Sequence, residues 1–164
     1  MAEQCVIMDL RNPKPAIEYE GVKGAEAPGW IREKVVAYLS GKGYLHPETG
    51  EHVGMANNHL AFPHVFRAVL SAGASLPHEL RVAAAEAIAK YQQGQGLDEH
   101  HLLPGPTDLV AGKYVATQVY TTATTGGLVT RPPLETLEQM QARYAVLGTR
   151  QAEEQERLEY LLKE

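Results

Sequence analysis

The sequence predicts an α/β fold, with a small amount of buried sheet near the amino terminus and helices after it. Two observations support this class. Short apolar runs with β-branched residues lie near the amino terminus, and the second half of the chain has apolar residues at helical spacing, with proline and glycine at the segment ends. The chain has 164 residues, of which 44% are hydrophobic, so it can bury a core as one domain.

The amino-terminal part is predicted to alternate between strands and loops. Val6–Leu10 is typical of a buried strand, and the proline-containing segment Asn12–Pro15 ends it. The glycine-containing stretch Tyr19–Trp30 is predicted to be a loop. Ile31–Leu39 fits both a helix and a strand, so periodicity leaves it open. Ser40–Gly54 contains four glycines and is predicted to be a long loop, which in a compact domain is usually functional or mobile.

Two helices are predicted in the middle of the chain. Leu60–Ala72 is the first. Pro77 opens the second, which is amphipathic, and Gly94 and Gly96 end it.

Two more helices are predicted toward the carboxyl terminus. Thr107 is a suitable N-cap for the first, Asp108 favours the positive end of its dipole, and Gly126-Gly127 terminate it. Pro132-Pro133 are predicted to start the last helix. Its charged end, Gln151–Glu164, is either a frayed amphipathic helix or a segment that docks on a partner.

Charge and composition exclude several classes of function. Fifteen Lys and Arg residues against twenty Asp and Glu residues give a net charge of −5, which argues against a nucleic-acid or anionic-membrane surface. No stretch approaches the roughly 20 apolar residues that span a bilayer, and no signal peptide is recognised. The single cysteine, Cys5, is expected to pack in a strand rather than to react. The expected location is the cytoplasm.

Four motifs occur in order along the chain. Residues 6–15 read Val-Ile-Met-Asp-Leu-Arg-Asn-Pro-Lys-Pro, residues 57–68 read Asn-Asn-His-Leu-Ala-Phe-Pro-His-Val-Phe-Arg-Ala, residues 102–108 read Leu-Leu-Pro-Gly-Pro-Thr-Asp, and residues 125–131 read Thr-Gly-Gly-Leu-Val-Thr-Arg. They resemble the carboxyl-terminal part of malic enzymes, which oxidatively decarboxylate malate to pyruvate with a nicotinamide dinucleotide and a divalent metal. The second motif is the most specific, since the family reads Asn-Asn-x-Leu-Ala-Phe-Pro-Gly-Ile-Phe-Arg-Gly there.

The resemblance implies a partial Rossmann-like fold, the last part of a doubly wound parallel sheet, with a helical carboxyl-terminal region. It places Val35–Ala37 on a strand. Residues 1–131 would be the carboxyl-terminal part of an NAD(P)-binding domain, and residues 132–164 a helical extension. The expected role is a contribution to malate decarboxylation within a split or larger enzyme. The expected partners are a malate- or pyruvate-type acid and either further copies of the chain or a chain supplying the missing amino-terminal half.

Three asparagines are the candidate binding residues. The resemblance implies cofactor binding by Asn12 and Asn57, and substrate binding by Asn57 and Asn58. Asn12 follows a predicted strand end, where open α/β sheets place ligands, and an amide can bond a carboxylate or a ribose without adding charge. The alternative is structural: Asn12 caps a turn, and Asn57 or Asn58 is an N-cap. The resemblance favours the binding role for the Asn57-Asn58 pair.

No catalytic residue and no metal ligand is assigned within the chain. In malic enzymes the general acid and base, the acidic metal ligands and the glycine-rich pyrophosphate turn lie upstream of this segment. Gly94 and Gly96 follow a helix and lack the third glycine of that turn. NAD or NADP is therefore the expected cofactor, and a divalent metal, Mg²⁺ or Mn²⁺, is expected only through a partner segment.

The chain departs from the family pattern in ways that concern the substrate pocket. The segment from Gly41 to Met55 is longer than its family counterpart. Four residues differ in type at otherwise matching positions, namely Arg11, Ala16, His64 and Ala68. His64 stands where the family has a glycine, which serves close backbone approach.

Two other functions stay open. The chain can be a non-catalytic binding or structural relative of malic enzyme. It can also be a metal-dependent enzyme that uses its histidine-rich loop, residues 46–64, or the Glu99-His100-His101 triplet. No histidine pair has the spacing that sets two ligands on one helix face, so the metal interpretation is the weaker.

Overall fold

The computed structural model describes residues 3–11 and 14–161. The chain divides into two compact units. The first comprises Met1–Leu60 and Ile88–Thr107, and the second comprises Ala61–Ala87 and Asp108–Glu164.

The first unit is built on a pair of parallel strands. β1, Cys5–Asp9, pairs in parallel with β2, Val35–Ser40, which confirms the α/β class and the strand assignment of the ambiguous segment. The connection between them carries two short helices, α1 at Tyr19–Val22 and α2 at Gly29–Arg32. The prediction of a loop over Tyr19–Trp30 was wrong there, because a parallel pair needs a crossover, and its chain is usually helical.

Aromatic and aliphatic side chains form the core beside this strand pair. Tyr19 of α1 stacks on Tyr44, with the ring centres 3.9 Å apart and the planes 10° from parallel. Tyr38 of β2 is 1% exposed, and its hydroxyl donates to the carbonyl of Ile17. The buried members of the cluster are Val22, Val35, Tyr38, Tyr44 and Val53.

A hairpin follows β2 where the sequence predicted only a loop. β3, Tyr44–Leu45, pairs antiparallel with β4, His52–Val53. Gly43 and Gly54 have φ values of 70° and 63°, a left-handed conformation that glycine adopts without cost. Gly43 and Gly54 therefore flank the hairpin, directly before β3 and directly after β4, and its buried Tyr44 and Val53 hold it on the core.

The helices predicted in the middle of the chain are confirmed. A short 3₁₀ helix at Asn58–Leu60 precedes α3, Phe62–Ala72. Gly73 ends α3 in the left-handed conformation, with φ 68°, a common helix stop. α4, His78–Gln95, runs from the second unit into the first.

The N-cap of the next helix is one residue later than predicted. α5 spans Leu109–Thr125, and its cap is Asp108. The Asp108 carboxylate accepts hydrogen bonds from the backbone N–H groups of Val110 and Ala111, both at 2.9 Å. The prediction of Thr107 was wrong because the carboxylate of Asp108 satisfies these two N–H groups and also complements the helix dipole.

The last helix also begins later than predicted. α6 spans Leu137–Leu161 rather than starting at Pro132-Pro133. Thr136 and Gln139 form a capping box, with the Gln139 N–H donating to Thr136 Oγ1 at 3.2 Å and the Thr136 N–H donating to Gln139 Oε1 at 2.8 Å. The charged segment is helical up to Leu161.

Small buried residues let α3, α5 and α6 pack closely in the second unit. Its fully buried residues include Ala68, Ala72, Val115, Val119 and Met140. In the part of the chain that the structure describes, no helix is both long enough and apolar enough to cross a membrane.

Candidate functional site

Three chain segments end at the same edge of the first unit. β1 and β2 are parallel, so their carboxyl ends lie side by side, and the Gly41 N–H donates to the carbonyl of Asp9 at 3.1 Å. Beyond β2, Ser40 forms a parallel bridge with Met55, and the Ala56 N–H donates to the Ser40 carbonyl at 2.8 Å. A third segment therefore runs alongside β2. This is the type of edge at which open α/β sheets bind ligands.

Asn57 lies at this edge and is tied to it. Its side-chain amide donates to the carbonyl of Gly41 at 2.9 Å, and its Oδ1 accepts from the backbone N–H of His59 at 3.3 Å. The first bond joins the third segment to the loop after β2, and the second caps the 3₁₀ helix. An asparagine amide has two donor hydrogens and two acceptor lone pairs, so the described residues leave one of each unoccupied. The structural interpretation of Asn57 is confirmed by these two bonds, and its binding role stays a prediction.

The other two candidate asparagines differ in how they are placed. Asn58 is exposed at the first position of the 3₁₀ helix. Asn12 lies outside the described residues. The structure thus brings Asn57 to the edge of the sheet with Asn58 directly after it.

Asp9 shapes the same edge, although sequence reasoning did not select it. Its carboxylate accepts from the backbone N–H of Arg11 at 3.1 Å, from Arg11 Nε at 3.3 Å and from the backbone N–H of Ala16. The bond from the Arg11 backbone is the largest cause that lowers the pKa of Asp9. The ionised side chain thereby ties the residues after β1 to the strand end. The sequence signal that could have selected Asp9 is its position as the last residue of an apolar strand.

His59 carries a buried polar atom without a partner. Among the described residues, its Nε2 is buried and makes no hydrogen bond. An unsatisfied buried ring nitrogen costs about 1–3 kcal/mol, and a water molecule or an ion bound there is one explanation for such a group. This atom belongs to the residue that follows Asn58.

A second polar cluster joins the hairpin to the turn at residues 98–101. The rings of His46 and His100 are 4.2 Å apart, centre to centre, and His100 Nδ1 shares a hydrogen bond of 2.9 Å with the Tyr44 hydroxyl. His101 Nδ1 lies 2.9 Å from both carboxylate oxygens of Asp98, and this bond lowers the pKa of Asp98 to about 2. The hairpin is therefore held by contacts among imidazole rings.

This histidine cluster is not arranged as a metal site. Among residues 3–11 and 14–161, no three His, Cys, Asp or Glu side chains are placed to hold a metal ion. The ring nitrogens have other partners: His46 Nδ1 accepts from the backbone N–H groups of Glu48 and Thr49, both at 3.2 Å. The metal-dependent alternative gains no support from the described residues.

The cluster predicts a pH dependence of stability. Burial, followed by the charge of His46, lowers the pKa of His100 and outweighs the opposing carboxylates of Glu99 and Asp98. A depressed pKa means that the stability contributed by neutral His100 is complete above the unfolded pKa of about 6.5 and is lost as the pH falls through the folded value. We expect urea unfolding at pH 7.5 and 5.5 to differ less for His100→Asn than for the wild type.

The exposed His78 supplies the control for that experiment. His78 lies at the start of α4, away from the described imidazole contacts. His78→Asn should keep the wild-type difference between the two pH values. Equal pH dependence in the His100→Asn variant and the wild type would show that the cluster does not titrate on unfolding.

Comparison with known proteins places the chain in a family. The family described as "Malic enzyme, NAD binding domain" matches residues 1–124. The chain belongs to the malic enzyme NAD-binding family. It is 30% identical over 141 residues to the bifunctional malic/malolactic enzyme of Bacillus subtilis and 29% identical over 147 residues to the NAD-dependent malic enzyme of Rhizobium meliloti. The similarity to malic enzymes expected from the motifs is thus confirmed.

The chain is much shorter than these malic enzymes. The aligned regions cover 84% and 80% of this chain but 31% and 17% of the Bacillus and Rhizobium proteins. Its fold resembles that of Entamoeba histolytica malic enzyme with a TM-score of 0.70, at 20% identity, over 96% of this chain and 29% of the other. The partial Rossmann-like fold with a helical carboxyl-terminal region is therefore confirmed, and the chain corresponds to a minor part of these malic enzymes.

One departure from the malic enzyme pattern has a structural explanation in the second unit. His64, at the family's glycine position, lies against Gly112 of α5. A Cβ added to Gly112 would come within 2.6 Å of both His64 ring nitrogens. His64 Nδ1 also lies 2.9 Å from the hydroxyl of Tyr144, which is 6% exposed. Position 64 thus carries a histidine ring where the family has a glycine, and Gly112 on the facing helix leaves the space that this ring occupies.

Proposed function

We propose that this chain supplies the nicotinamide and malate contacts of an NAD(P)-binding domain, and so contributes to the oxidative decarboxylation of malate to pyruvate within a split or larger malic enzyme. The position of Asn57 carries the proposal. It lies where the carboxyl ends of parallel strands meet, with one amide donor and one acceptor that no described residue occupies, and Asn58 follows it.

The chain's own residues would bind and orient the reactants. The chemistry that a nicotinamide supplies when bound is acceptance of a hydride from malate. We assign cofactor contacts to Asn12 and Asn57 and substrate contacts to Asn57 and Asn58, since neutral amides bond a carboxylate or a carboxamide without changing the net charge. The bond from Asn57 to Gly41 would keep the amide in one orientation.

The remaining chemistry belongs, in this proposal, to a partner segment. The described residues offer no three metal ligands together, so a divalent ion, Mg²⁺ or Mn²⁺, would need ligands from elsewhere. The acid, the base and the phosphate-binding turn would come with it, from a chain that supplies the amino-terminal half. In this scheme residues 1–131 complete the dinucleotide domain, residues 132–164 extend it, and the complex works in the cytoplasm.

The test uses this chain with the product of a neighbouring reading frame that encodes the missing amino-terminal part. Malate-dependent reduction of NAD or NADP should appear only when both chains are mixed. Asn58→Ala should lower kcat/KM for malate by about tenfold or more, as expected for a lost hydrogen bond to a charged group. Its free energy of unfolding should stay at the wild-type value, because the side chain is exposed.

Two further variants make that test specific. Gln93→Ala, an exposed amide on α4, should leave both the kinetics and the stability unchanged. Asn57→Ala should weaken binding and also lower stability, because it loses the bond to Gly41. Unchanged affinity for malate and for both dinucleotides in the Asn57 and Asn58 variants would remove the site assignment.

A non-catalytic relative of malic enzyme is the second candidate. The observation that favours it is the structural use of Asn57, whose amide already binds Gly41 and His59. This candidate predicts a folded chain that ignores both dinucleotides, alone and in the mixture. Dinucleotide binding that depends on Asn58 would exclude it.

A further inference from the structure

Asp9 is connected through its main chain to one of the two asparagines that are assigned to the cofactor. Its backbone carbonyl accepts from the Gly41 N–H at 3.1 Å, and the Gly41 carbonyl accepts from the side-chain amide of Asn57 at 2.9 Å. Gly41 is therefore the single link between the end of β1 and Asn57 along this hydrogen-bonded path.

The side chain of Asp9 is connected to the segment that carries the other asparagine. Asn12 lies between Arg11 and Ala16 in the sequence. Oδ1 of Asp9 accepts from the backbone N–H of Arg11 at 3.1 Å, and Oδ2 accepts from the backbone N–H of Ala16. One carboxylate therefore bonds both flanks of a short segment and fixes the distance between them.

The Arg11 side chain completes the set of donors around this carboxylate. Its Nε lies 3.3 Å from Oδ1 and its Nη2 lies 3.4 Å from Oδ2, so each oxygen has one backbone donor and one guanidinium donor. The pKa of Asp9 lies below its ordinary value, chiefly because of the bond from the Arg11 backbone. Hydrogen bonds to an ionised acceptor are stronger than those to a neutral one, which suits Asp9 to hold a segment of backbone.

We propose that Asp9 is a positioning residue for the nicotinamide dinucleotide: its carboxylate restrains the segment that carries Asn12, at a set spacing from Asn57. A ligand that bonds two amides on different segments binds more tightly when their spacing is set beforehand, because less freedom is lost on binding. Asp9 does not touch the cofactor in this scheme and acts through Asn12. The inference rests on the proposed function, which assigns Asn12 and Asn57 to the cofactor.

Hydrogen exchange in the chain alone tests the restraint. The backbone N–H of the exposed Ala16 should exchange at least about tenfold faster in Asp9→Ala than in the wild type, since the carboxylate is its acceptor. The N–H of Gly41 is bonded to the main chain of Asp9 and should keep its wild-type rate within about twofold. Equal exchange of the Ala16 N–H in both proteins would overturn the proposal.

Fluorescence titration with NADH and NADPH, in the mixture of this chain and the amino-terminal chain, tests the effect on the cofactor. Asp9→Ala should raise the Kd by about five- to tenfold, nearly as much as Asn12→Ala, which removes the amide itself. The KM for malate should change by less than about twofold, because the substrate contacts are assigned to Asn57 and Asn58. In the Asn12→Ala background, Asp9→Ala should raise the Kd by less than about twofold, since a residue that acts through Asn12 has no effect without it.

Two variants control for other effects of the substitution. Arg11→Ala keeps both backbone donors of the Asp9 carboxylate and should leave the Kd within about twofold of the wild type. Glu26→Ala, at an exposed carboxylate of the same unit, should leave it unchanged. Losses that multiply when the Asp9 and Asn12 variants are combined, or an Arg11→Ala protein that binds as weakly as Asp9→Ala, would contradict the assigned role. A mixture that neither binds a dinucleotide nor reduces one with malate would instead refute the proposed function, and this inference with it.

Discussion

Replacing Glu135 with alanine should lower the free energy of unfolding by about 2–3 kcal/mol, because it leaves the buried Ser71 hydroxyl without an acceptor and removes the ion-pair partner of two arginines. The Glu135 carboxylate binds Arg67 Nη2 at 2.7 Å, the Ser71 hydroxyl at 2.6 Å and Arg143 Nε at 2.8 Å. Ser71 is 2% exposed and would lose its acceptor. The expected loss of stability is smaller than the loss on breaking a fully buried ion pair, because the Arg143 side chain is 66% exposed and solvent screens its charge.

Urea or thermal unfolding measures this effect. The melting temperature should fall by roughly 4–12 °C, given about 2–4 °C per kcal/mol for a chain of this size. Glu153→Ala, at an exposed position on the same helix as Arg143, should change the melting temperature by less than about 2 °C. A Glu135→Ala variant as stable as Glu153→Ala would show that the three donors find other acceptors.

The same carboxylate predicts an acid dependence with a definite sign. Burial raises the pKa of Glu135, but the bonds from Ser71 and Arg143 and the charges of Arg67 and Arg143 outweigh it, so the pKa lies below its ordinary value of 4.5. The stability from the ionised form is therefore present above pH 4.5 and is lost as the pH falls through the folded pKa. Glu135→Gln should be less stable than the wild type at pH 7, and the difference should shrink below pH 4.5.

Local sequence patterns predicted most of the helices and left the long-range contacts open. The spacing of apolar residues located α3 and α4, because a helix repeats within a few residues. β2 needed the malic enzyme resemblance, since Val35–Ala37 is apolar on both faces and carries no period. The hairpin was missed because its anchor is the contact of Tyr44 with Tyr19 and His100, and His100 is 56 residues away.

The candidate site shows why one residue can satisfy two interpretations. Asn57 was predicted either to bind a ligand or to cap a helix, and the structure shows the cap, together with a bond to Gly41. Neither bond uses the whole amide, so capping and ligand binding are compatible. Sequence reasoning could not foresee the bond to Gly41, because it depends on a third segment lying beside β2. The buried Nε2 of His59 was equally invisible, since burial is a property of packing.

The second large effect is expected for Gly112→Ala, which should lower the stability of the protein although glycine-to-alanine changes in helices normally raise it. In a helix interior, alanine is more stable than glycine by about 0.5–1 kcal/mol, so Gly112→Ala alone would be expected to stabilise α5. Here the new methyl group would lie within 2.6 Å of both ring nitrogens of His64. The ring cannot move away freely, because its Nδ1 is bonded to the buried Tyr144 hydroxyl. We expect a net loss of about 2 kcal/mol, which is typical of overpacking.

Restoring the family's glycine at position 64 should reverse that result. In a His64→Gly background, the space above Gly112 is open, and Gly112→Ala should then raise the free energy of unfolding by about 0.5–1 kcal/mol. Urea unfolding of the four proteins of this cycle should give a coupling energy of about 2.5–3 kcal/mol between the two positions, which is typical of residues in contact or sharing one cavity. If Gly112→Ala has the same effect in both backgrounds, the space at Gly112 is not what accommodates the His64 ring.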